Sequence, residues 1–296
     1  MPKIEYETKN FRGDTLAIID KANEIVEQYQ AQGFSLTLRQ LYYQFVARGI
    51  LANNEKNYNK LGNIVSDARR AGMLDWQSIE DRTRYLRRLS SWGKPQDILE
   101  SAKNSYHRDL WANQDKRLEV WIEKDALVGV IQDICREYDV PFFSCRGYVS
   151  DSEMWRAGER VVAHNDKGQY VIMLHLGDHD PSGIDMTRDI ESRIRMFSAG
   201  GDFEVRRIAL TMEQIEEINP PPNPAKITDS RYESYLANYG AESWELDALE
   251  PRYIVNLLTD EIFSERDIDK WEVAYNEQEK ERGQIAEVIK KWENLF

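Results

Sequence analysis

Three carboxylate side chains directly follow apolar runs of the sequence. Glu123 comes after LEVWI at residues 118–122, and Asp178 and Asp180 come after YVIMLHLG at residues 170–177. If each run is a strand, a spacing of two residues points both aspartates the same way. Crowded carboxylates repel one another unless a hard cation neutralises them, and a set of oxygen ligands favours Mg²⁺ or Mn²⁺ over zinc. We therefore predict a magnesium site formed by Glu123, Asp178 and Asp180.

Two other interpretations of the stretch LHLGDHDPSG, residues 174–183, stay open at this point. The aspartates could form an acid/base pair, or Asp180 or Ser182 could cap a following helix. A histidine within an apolar strand is more often packed in the core than used as a ligand, and a residue between the two aspartates points away from both. We therefore expect no catalytic role for His175 or His179.

The elements that must position these carboxylates alternate between strand and helix. In chain order, the predicted strands lie at residues 118–122, 141–145, 170–174 and 203–210, and the predicted helices between them lie at residues 125–137, 151–164 and 183–198. Such alternation predicts an α/β domain with a mostly parallel sheet. Ligands of parallel sheets gather at the carboxyl ends of the strands, where the three carboxylates fall.

The N-terminal part of the sequence is predicted to be helical. Apolar spacing indicates helices at residues 14–31, from Thr37 to the residue before Gly49, and at residues 57–71. The arginine-rich segment at residues 73–88 is predicted as a short, irregular β element. Three helices followed by a β-wing outline a winged helix, in which the third helix enters the DNA major groove and the wing touches the backbone.

The chain has 296 residues, which is enough for two domains of ordinary size. We predict an α/β core in a chain that is α+β overall. The predicted parts are an N-terminal domain at residues 1–94, a linker helix at 95–115, a metal-binding core at 116–215, and a C-terminal extension at 216–296 with a proline-rich loop at 219–231 and a charged helix at 269–294.

Charge is unevenly distributed along the chain. The net charge is −13, yet residues 35–94 hold eleven Lys and Arg against five Asp and Glu. This segment carries +6 and the rest of the chain −19. A basic segment in an acidic protein is expected when one part meets phosphates and another does different chemistry.

Several motifs together resemble one known family. The residues WIEKDAL (121–127), Gly147-Tyr148 and DHDPSG (178–183) resemble the Toprim fold, in particular the A subunit of DNA topoisomerase VI and its meiotic double-strand-break relatives. WELDAL (244–249) is similar to a late acidic segment of that family. The resemblance spans roughly residues 14–265, is closest to the reduced stand-alone forms called mini-A proteins, and implies a winged-helix domain followed by a Rossmann-like Toprim domain.

The resemblance also implies a tyrosine nucleophile in the winged-helix domain. TLRQLYYQF at residues 37–45 matches the family's Arg-x-x-Tyr-Tyr-like pattern, whose second tyrosine is Tyr43. At 100° per residue Tyr42 lies in the apolar stripe of this helix, whereas Tyr43 shares a face with Arg39. A nucleophile must be reachable, and a guanidinium can hold the phosphate that is attacked. We therefore predict Tyr43 and Arg39 as catalytic residues, with Tyr42 in the core.

The implied reaction is Mg²⁺-dependent double-strand cleavage of DNA by transesterification, with a 5′-phosphotyrosyl intermediate. The family works as a homodimer in which the tyrosine of one subunit meets the metal site of the other. No phosphate-binding loop of an ATPase is visible in the sequence, so strand passage would need a separate GHKL-type ATPase subunit.

Basic residues are the candidate DNA contacts. Residues Arg69, Arg70, Arg82, Arg84, Arg87 and Arg88 are expected to touch phosphates of double-stranded DNA. Lys124, beside the predicted metal ligand Glu123, and Arg146, after the second strand, are further candidates. Tyr148 is a secondary candidate, and Asp185 is expected on a helix surface.

Two other functions remain open: a hydrolytic Toprim endonuclease in which Tyr43 is structural, and a non-cleaving DNA-binding regulator of phage or plasmid origin. The sequence has no apolar run of 18 residues, no signal-peptide pattern and only two cysteines, Cys135 and Cys145. These features predict no membrane association and a cytoplasmic, nucleoid-associated protein.

Overall fold

The N-terminal part of the protein is a small helical unit with its own core. A computed structural model describes residues 3–81 and 89–293. The first helices are α1 (Gly13–Gln30), α2 (Leu38–Ala47) and α3 (Glu55–Arg70), within two residues of the predicted bounds. Thr37 begins α2 with a reciprocal cap, in which its side chain accepts from the Gln40 N–H and the Gln40 side chain accepts from the Thr37 N–H. Apolar side chains from all three helices, Phe45 among them, form the core of this unit.

The predicted β element after α3 is wrong over residues 73–81. No strand forms in this described part, and only a single parallel bridge joins Ile79 to Leu36. A turn at Asp75 replaces the predicted strand. The Asp75 carboxylate accepts the Gln77 N–H at 2.9 Å, and the Ser78 hydroxyl donates to the Asp75 carbonyl at 2.6 Å. Residues 82–88 of the predicted wing lie outside the described residues.

The predicted linker helix is shorter than expected. Helix α4 (Pro95–Ser105) ends ten residues before the predicted bound at 115. The chain turns instead at Asp109, whose carboxylate accepts the Trp111 N–H at 3.1 Å. Trp111 is fully buried and donates from its indole nitrogen to the Tyr138 carbonyl at 2.7 Å, so the segment after α4 is anchored in the second core.

The sheet is four-stranded and parallel, as predicted. In chain order its strands are β1 (Lys116–Ile122), β2 (Phe142–Ser144), β3 (Tyr170–Leu176) and β4 (Phe203–Ala209), and their spatial order is β2-β1-β3-β4. Helices follow the strands: α5 (Val128–Glu137), α6 (Asp151–Asn165), α7 (Pro181–Phe197) and α8 (Met212–Ile218). Because helices cover both faces, the central strands are nearly continuous runs of buried apolar residues.

The end of the chain returns to the carboxyl edge of the sheet. The proline-rich segment contains a two-residue strand, β5 (Asn223–Pro224), which pairs with β6 (Glu242–Ser243), and helix α9 (Tyr232–Tyr239) lies between them. The C-terminal helices are α10 (Pro251–Glu265) and α11 (Ile268–Glu293), so the predicted helix at 269–294 is preceded by another helix. No helix within the described ranges is long and apolar enough to cross a membrane.

Candidate active site

Glu123 and Asp178 lie next to each other because β1 and β3 are neighbours in register. Ile122 pairs with Leu176, so the residues that follow each strand emerge together. A Glu123 carboxylate oxygen, Oε2, accepts the backbone N–H of Asp178 at 2.9 Å. Asp178 is buried; its Oδ1 accepts the Leu246 N–H at 2.9 Å and its Oδ2 lies 2.5 Å from the Lys124 ammonium. Burial raises the pKa of Asp178, and Lys124 opposes this shift.

Asp180 begins helix α7. Its Oδ1 accepts the Gly183 N–H at 2.6 Å and the Ser182 hydroxyl at 2.9 Å, with Pro181 in the first helical position. The capping turn that the sequence left open is therefore present at Asp180. Glu123, Asp178 and Asp180 nonetheless all line one cleft of about 430 Å³ at the carboxyl edge of the sheet.

Two further carboxylates belong to this group, and reasoning from the residues alone did not select them: Glu245 lines the cleft, and Asp247 is buried near Asp178 and Lys124. The segment at 242–249 pairs with the loop after β3, since His179 and Trp244 exchange backbone hydrogen bonds at 2.8 and 2.9 Å. After Glu245, Leu246–Ala248 form one turn of 3-10 helix in which Leu246 and Asp247 are buried. The only signal in the sequence was the similarity of WELDAL to a family motif.

Two cations pair with these carboxylates, and one of them, Arg39, connects them to the helical unit. The Arg39 guanidinium lies 2.5 Å from Glu245 and 3.0 Å from Asp247, and the Lys124 ammonium lies 3.3 Å from Glu245. Burial disfavours the charged forms of both Glu245 and Lys124. Nevertheless, Lys124 and Arg39 hold the pKa of Glu245 below its usual value. In the same way, Asp178 and Glu245 raise the pKa of Lys124. Burial raises the pKa of Asp247 to about 6 in spite of Lys124 and Arg39.

Tyr43 lies against the same group but is more enclosed than its helix position indicated. Its side chain is buried, and the Arg39 guanidinium carbon is 5.8 Å from the centre of its ring. Burial raises the pKa of the Tyr43 hydroxyl, Glu245 raises it further by charge and hydrogen bonding, and Arg39 opposes both. A second cleft, of about 310 Å³, is lined by Tyr43 and shares Arg39 and Glu245 with the cleft of the carboxylates.

Tyr42 is a core residue, as predicted. Its hydroxyl accepts the Asn54 N–H at 2.8 Å and donates toward the Asn54 carbonyl at 3.0 Å. Its ring contacts Tyr58 edge-on, with 5.4 Å between the ring centres. Tyr42 therefore holds the loop before α3 in place.

His175 is packed in the core, as predicted, and His179 is buried as well. His175 is fully buried, and its Nδ1 lies 2.9 Å from the Thr187 hydroxyl. His179 is enclosed by Tyr235, Tyr239 and Trp244, and its Nδ1 lies 2.8 Å from the Tyr235 hydroxyl. Burial, assisted by Arg207, lowers the pKa to about 3 for His175 and about 4 for His179, so both rings are neutral at pH 7.

The predicted DNA-contacting arginines that the structure describes have partners within the chain. Arg69 packs over Trp76 and donates to its carbonyl, and Arg70 reaches Glu7 and the Ser66 hydroxyl. Arg146 is well exposed, and its guanidinium lies 2.8 Å from Asp125 outside the cleft of the carboxylates. The remaining four, Arg82, Arg84, Arg87 and Arg88, lie outside the described residues.

The secondary candidates Tyr148 and Asp185 contact each other. The Tyr148 hydroxyl donates to Asp185 at 2.6 Å, and Arg231 approaches the same carboxylate at 2.7 Å. Asp185 therefore belongs to an ion-paired group on α7, in agreement with a helix-surface role. Burial raises the pKa of Asp185, but hydrogen bonds from Arg188, Tyr148 and Arg231 outweigh this effect and lower it to about 2.

The donor types of the site fit a hard divalent cation. All the candidate ligands are carboxylate oxygens, and both oxygens of Asp247 are buried without a well-formed hydrogen bond from any described residue. However, no three His, Cys, Asp or Glu side chains of residues 3–81 and 89–293 converge as a group that could hold a metal. Lys124 lies on Asp178, and the cap of α7 uses an oxygen of Asp180.

Comparison with known proteins returned no match to this chain, either among protein-family models or among curated sequences.

Proposed function

We propose that this protein cleaves double-stranded DNA by tyrosine transesterification, in the manner of the topoisomerase VI A subunit, and that its parts are a winged-helix domain and a Toprim domain. The observation that carries the proposal is a continuous line of contacts from Tyr43 through Arg39 and Glu245 to Lys124 and Asp178. A phenol, a guanidinium and a cluster of carboxylates in two adjoining clefts are the groups that a phosphoryl transfer to tyrosine requires.

Each side chain has a distinct part in the proposed reaction. The Tyr43 oxygen forms a bond to a backbone phosphorus while the bond from phosphorus to the 3′ oxygen breaks, which leaves a 5′-phosphotyrosyl link and a free 3′-hydroxyl. Glu245, beside the tyrosine hydroxyl, accepts its proton, and the leaving 3′ oxygen takes up a proton from water. Arg39 holds the phosphate oxygens against Tyr43.

The carboxylates supply the metal site of the proposal. Glu123, Asp178 and Asp180 would hold Mg²⁺, or Mn²⁺ in its place, and the bound ion would stabilise negative charge on the phosphate. For Asp178 to serve as a ligand, Lys124 must leave its carboxylate, which frees the ammonium for a DNA phosphate.

The proposed partners are double-stranded DNA, a second copy of the chain in a homodimer, and a separate GHKL-type ATPase subunit if strands are passed. The proposed location is the cytoplasm, in association with the nucleoid. The proposed DNA-contacting residues are those predicted from the sequence.

A hydrolytic Toprim endonuclease is the second candidate, and one observation favours it. Tyr43 is buried, and both burial and Glu245 raise the pKa of its hydroxyl, which disfavours the phenolate that a nucleophile needs. In this case a water molecule would attack the phosphate and Tyr43 would only support Arg39.

Plasmid cleavage distinguishes the two candidates. Supercoiled plasmid is incubated with the protein and Mg²⁺ or Mn²⁺, then denatured with and without protease. Transesterification predicts linear DNA with protein on its 5′ ends, which disappears in Tyr43→Phe while DNA binding is retained. Cleavage with free ends that persists in Tyr43→Phe would exclude the tyrosine mechanism and support hydrolysis.

A further inference from the structure

Arg207 lies beneath the loop that carries the two aspartates. It comes from β4, its guanidinium is enclosed, and it donates to four backbone carbonyls and one hydroxyl. The acceptors are the carbonyls of Gly177 at 2.8 Å, Asp178 at 2.5 Å, Gly183 at 3.0 Å and Leu210 at 3.1 Å, and the Thr187 hydroxyl at 3.1 Å. One side chain thus joins the end of β3, the loop after it and the first turns of α7.

The charge of Arg207 is not neutralised by direct pairing. No carboxylate of the described residues lies within ion-pair distance of its guanidinium, although Glu123, Asp178 and Asp180 are close enough to support its charge. A buried cation that is held only by neutral acceptors costs free energy unless each donor has a partner. The planar guanidinium meets this condition because its five N–H donors, which have a fixed geometry, match the five acceptors named above.

The loop is shaped to let the guanidinium approach. A Cβ at Gly183 would lie 2.2 Å from the Asp178 carbonyl oxygen, which is the oxygen that accepts from Arg207. A Cβ at Gly177 would lie 3.1 Å from the Glu123 carboxylate and 3.3 Å from the Arg207 guanidinium. Backbone, carboxylate and guanidinium are therefore packed together, with no room for a side chain at Gly183 and little room at Gly177.

We propose that Arg207 is a positioning residue for the metal ligands, which fixes Asp178 and Asp180 relative to Glu123 so that a divalent cation can bind. The inference rests on the proposed function, because it concerns the metal site that this function requires. Arg207 acts through the backbone of the ligands and touches neither the metal nor DNA. Removing a hydrogen bond that positions a metal ligand typically weakens metal binding by about 10–100-fold.

The test compares two adjacent arginines of the same strand. Arg207→Lys keeps the positive charge but loses the fork of donors. Arg206→Lys is the matched control, because Arg206 pairs with Glu204, Glu261 and Glu265 away from the cleft. Binding of Mn²⁺ to each purified full-length protein, without DNA, is measured by electron paramagnetic resonance of the free ion, and folding is checked by circular dichroism and thermal unfolding.

We expect Arg207→Lys to fold and to bind Mn²⁺ at least 10-fold more weakly than the wild type, whereas Arg206→Lys binds as the wild type does. Equal affinity in Arg207→Lys and the wild type would overturn the positioning role and leave the proposed function intact. A wild type that binds no Mn²⁺ would overturn the metal site of the proposed function, and with it the role of Arg207. If Arg207→Lys does not fold, Thr187→Val, which removes a single acceptor of Arg207, is measured instead; unchanged Mn²⁺ affinity in that variant would overturn the proposal.

Discussion

Tyr42 and Tyr43 are neighbours on one helix but have different surroundings. Among the described residues, the hydrogen bonds and ring contacts of Tyr42 lie within the helical unit, at Tyr58 and in the loop at residues 52–54. Tyr43 contacts Arg39 and Glu245, and Glu245 comes from a segment some 200 positions along the chain. Helical periodicity predicts the place of Tyr42 because its environment is local. It could not predict the burial of Tyr43, since the covering residues belong to the other part of the molecule.

Tyr42→Phe should lower stability. The variant leaves the Asn54 N–H without its acceptor, so the free energy of unfolding should fall by about 1–3 kcal/mol. Tyr58→Phe is the control, because the contact of Tyr58 with Tyr42 is through the ring. Urea unfolding of the three proteins measures the difference. Equal loss of stability in both variants would contradict the role assigned to the Tyr42 hydroxyl.

Asp247 should make stability depend on pH. Its folded pKa of about 6 lies above the ordinary value of 3.8, so the folded protein binds this proton more tightly than the unfolded chain does. The resulting contribution to stability is fully present below about pH 4 and is lost as the pH rises through about 6. Asp247→Asn does not ionise. Relative to this variant, the wild type should lose up to about 3 kcal/mol between pH 4 and pH 7, at about 1.4 kcal/mol per pKa unit.

Urea unfolding of the wild type and Asp247→Asn at the two pH values measures this loss. A difference in stability between the two proteins that stays constant from pH 4 to pH 7 would show that Asp247 keeps an ordinary pKa.

At the scale of the elements, strand–helix alternation predicts the parallel sheet because each apolar run must be buried on both faces. The same reasoning predicts the place of Glu123 and of the two aspartates, since each follows a run directly. It does not extend to residues 73–81 or to the end of α4. In those segments Asp75 and Asp109 form local turns, and Leu74 and Trp111 are drawn into separate cores.

The crossing of α6 and α7 depends on Gly158. A Cβ at this position would lie 2.6 Å from the Phe197 Cβ and 2.8 Å from the Phe197 carbonyl carbon. Gly158→Ala should therefore lower the free energy of unfolding by about 1–3 kcal/mol in spite of the better helix propensity of alanine. Gly283→Ala in α11, where no described atom lies within 4 Å of the new Cβ, should raise it by up to about 1 kcal/mol. Thermal unfolding of both variants checks the opposite signs, and a stabilising Gly158→Ala would contradict the close packing of the two helices.

At the scale of the whole molecule, the helical unit and the sheet meet through polar contacts. Arg39 pairs with Glu245 and Asp247, the Asn53 side chain donates to that of Asn223, and the Tyr29 hydroxyl donates to Glu250. Such long-range contacts leave no periodic trace in the sequence. These contacts bring Tyr43 and the carboxylates of one chain to adjoining clefts. The family resemblance implies instead that the tyrosine of one subunit meets the carboxylates of another.

This arrangement predicts that the proposed active site forms within one chain. Tyr43→Phe and Glu123→Gln each remove one half of the site, so a mixture of the two variants should remain inactive in plasmid cleavage if both halves must come from the same chain. Exchange of subunits before the assay is verified with two differently tagged proteins. Appearance of nicked plasmid on mixing would instead show that the tyrosine of one subunit works with the carboxylates of another.

In the proposed reaction Tyr43 becomes covalently linked to DNA. The most direct measurement is mass spectrometry of the protein after incubation with DNA and Mg²⁺, denaturation, nuclease treatment and proteolysis, with Tyr42→Phe and Tyr43→Phe alongside the wild type. We predict a nucleotide adduct on the tyrosine at position 43 in the wild type and in Tyr42→Phe, and no adduct in Tyr43→Phe. Cleaved DNA in the same samples without any tyrosine adduct would contradict the claim.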